Sequence, residues 1–422
     1  MIAPVPPARF GRIRIALALA FSALATLVTI AAPASAEQPR PSPSAAAAIL
    51  IDANDGDVLF GEDEDEQRPI ASTTKLMTAL LALERARPDD LFAAANYDAL
   101  PVESTIGLRA GERMKVRDLL RGLLLASAND AAETIAQNVS GSRAAFVRSM
   151  NARARALGLK DTSFANPIGL DDPDNHSSAR DLARLTARLL RDERFASIVG
   201  RTAAELSSGD RRRIVQNRNA LVGRYDFVDG VKTGRTRGAG EVLIGSASRG
   251  GARVVSVVLG EPSRAARDAD TLELLRYGLD QFTSKRVVTE GRTLARVPVQ
   301  GNDERAPLAA VRNASVALRS GQRASTNVRA PRELRGPLPP DSRAGRVEVT
   351  VDGRVVRRVP LVTTAMVKGP DRSGAGLSGL LLTLLLLGCI VIVTLLTALR
   401  VRVLRRRRAR SRRRVTSGTR TQ

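Results

Sequence analysis

Residues 377–399 contain no charged side chain. As one helix they would extend about 35 Å, enough to cross the apolar core of a bilayer. Arg400, Arg402, Arg405 to Arg408, Arg410 and Arg412 to Arg414 follow at once. This stretch therefore reads as a transmembrane helix. The positive-inside rule places the basic tail, 400–422, in the cytoplasm. The body of the chain is then expected outside the cytoplasmic membrane, on a single-pass anchor.

The other end of the chain agrees. Residues 15–32 are almost wholly apolar, follow Arg9, Arg12 and Arg14, and lead to Ala34-Ser35-Ala36. A basic start, an apolar stretch and a small-residue site describe a secretory signal peptide over 1–36, cut before Glu37. An uncleaved membrane anchor is the alternative.

The net charge of +23 in 422 residues raises the question of nucleic acid. Much of that charge sits in the tail, where it meets anionic headgroups. Aromatics are only 3% of the chain, too few for base-stacking platforms, so no nucleic-acid partner is expected. The single cysteine, Cys389, lies inside the apolar run, and the single histidine is His176. The body thus lacks a disulfide, a cysteine nucleophile and a multi-histidine zinc site. No cofactor or metal is expected. His176, in Asn175-His176-Ser177-Ser178, is read as structural at the start of a helix, because a triad histidine needs orienting partners.

Between the two apolar runs the pattern changes several times. Residues 37–44 are a proline-spaced linker. Ala48 to Asp52 and Val58 to Phe60 flank Asn54-Asp55-Gly56, which is hairpin chemistry. Helices are expected after Pro69, over Val116 to Leu125, Ala131 to Ala136, Ala144 to Leu157 and Ser178 to Leu190. Ser178 with Asp181 reads as a capping box. Strands are expected over Phe227 to Thr233, Glu241 to Ser248 and Arg253 to Leu259, then a helix over Thr271 to Phe282. This is an α+β unit with a mainly antiparallel sheet and a helical subdomain, assigned to 45–284. Residues 285–362 read as a small all-β domain, with Val347 to Val351 and Val355 to Pro360 around Asp352-Gly353. Residues 363–376 read as a stalk.

Three short motifs carry chemistry. Ser72-Thr73-Thr74-Lys75 puts a hydroxyl and an amine three apart, on one helix face. A serine is a weak nucleophile until a base takes its proton, and a desolvated lysine is such a base. Ser127-Ala128-Asn129 adds a second hydroxyl and an amide on a loop between helices. Lys232-Thr233-Gly234 adds a cation, a hydroxyl and a position without a side chain at an edge strand. Each motif alone reads as ordinary surface, loop or turn sequence. Their order and placement are what a groove-shaped site needs.

From about Ala46 to Phe282 the chain resembles the low-molecular-mass penicillin-binding proteins, the serine D-Ala-D-Ala carboxypeptidases. The resemblance rests on Ile70 to Thr78, Arg117 to Leu120, Ala126 to Ala131, Asn166 to Leu170 and Asp229 to Gly234. It implies a DD-peptidase-like, β-lactamase-like catalytic fold. Ser72 would attack the carbonyl of the penultimate D-alanine, Lys75 would accept its proton, and Ser127 would relay a proton to the leaving D-alanine. Asn129 would hold the peptide backbone, and Lys232 and Thr233 would contact the terminal carboxylate beside Gly234. The oxyanion hole would use the backbone N–H groups of Ser72 and Arg235. Arg267 matches a family arginine near the carboxylate pocket. The implied partners are a peptidoglycan stem peptide ending in D-Ala-D-Ala, and β-lactam antibiotics as covalent inhibitors. Arg235 and Ile168 stand where family members often carry other residues, histidine among them. Three readings compete: a DD-endopeptidase with the same site, a β-lactamase and a non-catalytic wall-binding protein. Class A β-lactamases add a deacylating glutamate, and no Glu-x-x-Leu-Asn segment lies between Asn129 and Lys232.

Overall fold

The computed structural model describes Met1, Ala3 and residues 39–301, 303–369 and 373–415. The expected signal peptide falls almost wholly outside the described residues.

The main sheet is built from five strands: β1 (Ala47–Asp52), β2 (Val58–Glu62), β3 (Val228–Thr236), β4 (Gly240–Arg249) and β5 (Ala252–Glu261). Their order is β2-β1-β5-β4-β3, antiparallel throughout. Side chains on a strand alternate between faces, and this sheet uses both. Ile49, Ile51, Val242, Ile244, Val255 and Val257 enter one core. Ala48, Leu50, Leu243, Ala247, Val254 and Val258 enter another. This explains why β1 is buried at every position rather than at alternate ones.

The first core joins the sheet to a helical block. Its helices are α1 (Lys75–Arg85), α2 (Val116–Leu125), α3 (Asn129–Ser140), α4 (Arg143–Ala156), α5 (Ala179–Leu189) and α6 (Glu193–Val199). Leu119, Leu123 and Leu125 of α2 are fully buried, each contributing about 1.5–3 kcal/mol by leaving water. The second core is closed by α7 (Arg264–Asp280) through Leu274, Leu275 and Leu279. The strand β3, which carries Lys232 to Gly234, is left at the sheet edge.

Several sequence expectations change in detail. Ser72 lies in a 3-10 turn, Ala71–Thr74, and Lys75 opens the α-helix proper. The Thr73 hydroxyl donates to the Ile70 carbonyl at 2.6 Å and tightens that turn. The helix after Ser127 begins at Asn129, two residues earlier than its apolar pattern shows. Ser178 caps α5 by accepting from the Asp181 N–H at 3.2 Å, but the box is not reciprocal. The Asp181 carboxylate instead accepts from the Asp161 N–H and the Thr162 hydroxyl. His176 belongs to a two-residue strand, His176–Ser177, paired with Arg68–Pro69.

Beyond α7 the chain forms a β unit. Strands Thr293–Pro298, Arg305–Ala310, Arg354–Thr363, Arg343–Val351 and Ala324–Arg329 make an antiparallel sheet in that order. Strands Thr283–Val288 and Ala314–Leu318 pair separately. The turn at Asp352-Gly353 has φ of 47° and 81°, the left-handed pair that a two-residue hairpin requires. Val367, in the segment expected to be stalk, is buried in this unit's core. The last described helix, α8, runs Ser373–Val415, and its stretch Gly379–Arg408 is long and apolar enough to cross a membrane. Residues 400–415 continue that helix rather than starting a new segment, since nothing in them breaks a helix.

Candidate active site

Ser72, Ser127, Asn129, Thr233, Gly234 and Arg267 line one open groove of about 1000 Å³ between the helical block and the edge strand. They reach it from several elements, Thr233 and Gly234 both from β3, and local chemistry explains each position.

Lys75 is buried at the start of α1, and its Nζ donates to the Ser72 Oγ at 3.0 Å. The same Nζ donates to the carbonyl of Ile168 at 2.5 Å. That carbonyl is presented by the loop 166–170, which Asn166 folds around its own side chain. The Asn166 Oδ1 accepts from the N–H groups of Ile168, Gly169 and Leu170. Thr78 pins the loop by donating to the Pro167 carbonyl at 2.7 Å. Ile168 thus serves Lys75 through its backbone carbonyl, while its side chain is buried in the first core.

Burial brings the Lys75 amine down to about 7, with Glu103 opposing the shift and Arg218 adding to it. Near neutral pH a large share is therefore the free base. Lys232 is also buried, donates to the Thr233 carbonyl at 2.7 Å, and is pushed well below the usual lysine range. Burial is the main cause, with Lys75, Arg218 and Arg267 adding like-charge repulsion.

Two residues at the groove adopt left-handed backbone although they carry side chains. Ala71 has φ 47° and Ser127 has φ 62°. Such conformations cost about 1–3 kcal/mol each and concentrate at functional sites. The two residues that follow Ser127 are both tied down. The Ala128 N–H donates to the Gly122 carbonyl, and the Asn129 N–H donates to Ser104. Asp130 accepts from the Ile106 and Leu108 N–H groups, tying the 104–108 loop to the helix start.

On β3, a Cβ at Gly234 would stand 3.1 Å from the Ser72 nitrogen and 3.0 Å from the Ala71 Cβ. The missing side chain lets the edge strand close on the nucleophile turn. Asn219 supports the strand by donating to the Gly230 carbonyl at 2.9 Å. Thr236 donates to Asp171, which joins the strand end to the loop after Leu170.

The model of the D-alanyl-D-alanine carboxypeptidase family, peptidase S11, matches residues 33–263. The chain belongs to this family. The D-alanyl-D-alanine carboxypeptidase DacF of Bacillus subtilis is 31% identical over 323 residues, covering 74% of this chain and 83% of that protein. DacD of Escherichia coli is 33% identical over 332 residues, covering 75% and 84%. Among solved structures, penicillin binding protein 5 from Haemophilus influenzae aligns with a TM-score of 0.55 at 29% identity, covering 79% of this chain and 100% of that one. A variant of the Streptomyces K15 DD-transpeptidase aligns with a TM-score of 0.54 at 28% identity, covering 57% and 100%.

In this family member the cationic side of the groove is more elaborate than its motifs suggest. Arg267 is buried and donates to Glu241 at 2.6 Å and to Asp268 at 2.7 Å. Arg235, largely exposed, approaches the other oxygen of Glu241 at 3.4 Å. Glu241 therefore spaces the two guanidinium groups. Arg218, Arg237 and Arg264 also line the groove, and sequence reasoning did not find them. In a chain with arginine throughout, no local pattern separates these three from the rest. Glu103 and Tyr97 were missed as well. They stand on the irregular segment between residues 94 and 112, where periodicity offers nothing to read.

Proposed function

We propose that this chain removes the terminal D-alanine from peptidoglycan stem pentapeptides through an acyl-enzyme on Ser72. The observation that carries the reading is the 3.0 Å contact between the Lys75 amine and the Ser72 hydroxyl, inside a groove that also presents Ser127, Asn129 and the β3 edge. Lys75 takes the Ser72 proton as Oγ attacks the carbonyl of the penultimate D-alanine. The Ser72 and Arg235 N–H groups stabilise the oxyanion. Ser127 passes a proton to the leaving amine, and D-alanine departs. Water then cleaves the Ser72 ester and releases the shortened peptide. Asn129 holds the peptide backbone, while Lys232, Thr233 and Arg267 favour its terminal carboxylate. β-Lactams acylate the same serine.

The reaction takes place outside the cytoplasmic membrane. The 379–408 stretch of α8 serves as a membrane anchor, and the arginine tail stays in the cytoplasm. The unit formed by residues 45–284 does the chemistry, and the β unit stands between it and the anchor.

Labelling with a fluorescent penicillin tests the reading, with Ser72→Ala as the control. Wild-type labelling lost in the variant, together with D-alanine release from a pentapeptide, is the expected result. An unlabelled wild type would sink it. Rapid nitrocefin turnover in place of a long-lived acyl-enzyme would point instead to a β-lactamase.

A further inference from the structure

Glu103 lines the groove beside Ser72 yet belongs to none of the three motifs. Its Oε2 accepts from the Asn129 Nδ2 at 2.6 Å and from the Tyr97 hydroxyl. Its Oε1 accepts from the Leu100 N–H at 3.2 Å, and its own N–H donates to the Leu100 carbonyl at 2.9 Å. The neighbouring Ser104 carbonyl accepts the Asn129 N–H at 2.7 Å. Loop and helix start are thus joined at two adjacent residues.

A carboxylate can only accept hydrogen bonds. Its bond to Asn129 therefore fixes which end of the amide faces the loop: the NH₂ group turns to Glu103 and Oδ1 turns away. A bond to an ionised acceptor is also about twice as strong as a neutral one. Burial opposes ionisation of Glu103, but the Tyr97 and Asn129 hydrogen bonds outweigh it and hold the carboxyl below its usual range. The group is charged at neutral pH. Glu103 shares the groove with Ser72, the 3.0 Å partner of the Lys75 amine, and its charge opposes the fall of that amine's pKa. Lys75 in turn acts on the Lys232 amine of β3 by like-charge repulsion.

We propose that Glu103 is a positioning residue for acyl transfer, whose carboxylate sets the orientation of the Asn129 amide and supplies the counter-charge to the Lys75 amine. Tyr97 holds that carboxylate in place. The inference rests on the acyl-transfer reading above.

The test uses the full chain in detergent, with the second-order rate of fluorescent-penicillin labelling followed against pH. Glu103→Ala is expected to lose roughly tenfold or more of the rate, the size of a lost hydrogen bond to a charged group. Glu103→Gln keeps an acceptor for Asn129 but not the charge. It is expected to recover most of the rate at high pH, with the rising limb displaced to lower pH, because Lys75 gives up its proton more readily. A merely structural role would move the thermal midpoint and leave the limb in place. Wild-type rates in Glu103→Ala, or an unmoved limb in Glu103→Gln, would overturn the proposal. If Glu103→Ala does not fold, Glu103→Gln decides alone. An unlabelled wild type would overturn the acyl-transfer reading itself, and the proposal with it.

Discussion

Gly169 lies so close to Ala71 that a Cβ built on it would stand 2.0 Å from the Ala71 carbonyl oxygen. Its φ of 87° is also one that side chains rarely adopt. The loop that offers its Ile168 carbonyl to Lys75 is therefore pressed against the turn that carries Ser72. Only glycine permits that approach.

Gly169→Ala is expected to push the loop off the nucleophile turn. The strained backbone and the collision together cost about 2 kcal/mol or more. The labelling rate should fall more than tenfold, because Lys75 loses its second partner. Penicillin kinetics and a thermal melt on the same sample check both effects. Normal labelling with a lowered melting point would mean that the loop matters to the fold alone.

Lys75, with its amine lowered to about 7 by burial, should make acylation rise with pH through that value. The reactive form is the neutral amine, so the rate falls on the acid side. The sign for stability follows from the same shift. Unfolded lysine binds its proton up to about 10.4, so between about 7 and that value the unfolded chain binds more protons than the folded one. This group's contribution to stability therefore grows as pH rises across that window, and is lost as pH falls through about 7. Lys75→Ala should abolish acylation and leave the fold intact. Surviving acylation in that variant would remove Lys75 as the base.

The chain shows its chemistry more openly than its support. Ser72, Lys75, Ser127, Asn129 and Lys232 to Gly234 are visible because they recur as short ordered motifs. The Asn54-Asp55-Gly56 and Asp352-Gly353 turns are visible because left-handed backbone selects their residues. Glu103, Arg218 and the Ile168 carbonyl are not. Glu103 acts from an irregular loop, Arg218 is one arginine among many, and a carbonyl leaves no trace in the sequence. The 3-10 turn at Ala71–Thr74 also escaped notice, since the same residues are compatible with the first turn of an α-helix.

Arg319 joins the β unit to the catalytic unit through the β1–β2 turn. Its guanidinium reaches Asp55 at 2.8 Å and Asp57 at 2.5 Å, with Asp52 at 3.6 Å. Asp52 is buried, and burial raises its carboxyl above the usual range. Arg319→Ala leaves three carboxylates facing one another without a cation. A loss of roughly 1–3 kcal/mol is expected for a partly buried network, together with faster proteolysis between the two units. Limited digestion followed by mass spectrometry reads this out. An unchanged digestion pattern would mean that apolar packing alone holds the units together.

The end of the β unit sets where an anchor-free form can be cut. Val367 exchanges two backbone hydrogen bonds with Leu338, at 3.0 and 2.9 Å, and its side chain is buried. Thr363 accepts from the Ser342 N–H and donates to the Pro339 carbonyl. A form ending at Gly369 keeps all of these contacts, whereas one ending at Val362 loses them. The first is expected to be soluble, to label with penicillin like the full chain and to melt at the same temperature as the β unit of the full chain. The second gives up one buried valine, about 1.5–3 kcal/mol, and leaves the Leu338 N–H and carbonyl without their partner. Its β unit should melt well below that of the longer form while Ser72 still labels, because the groove lies in the other unit. Equal melting of the two forms would show that the segment after Val362 is only a tether.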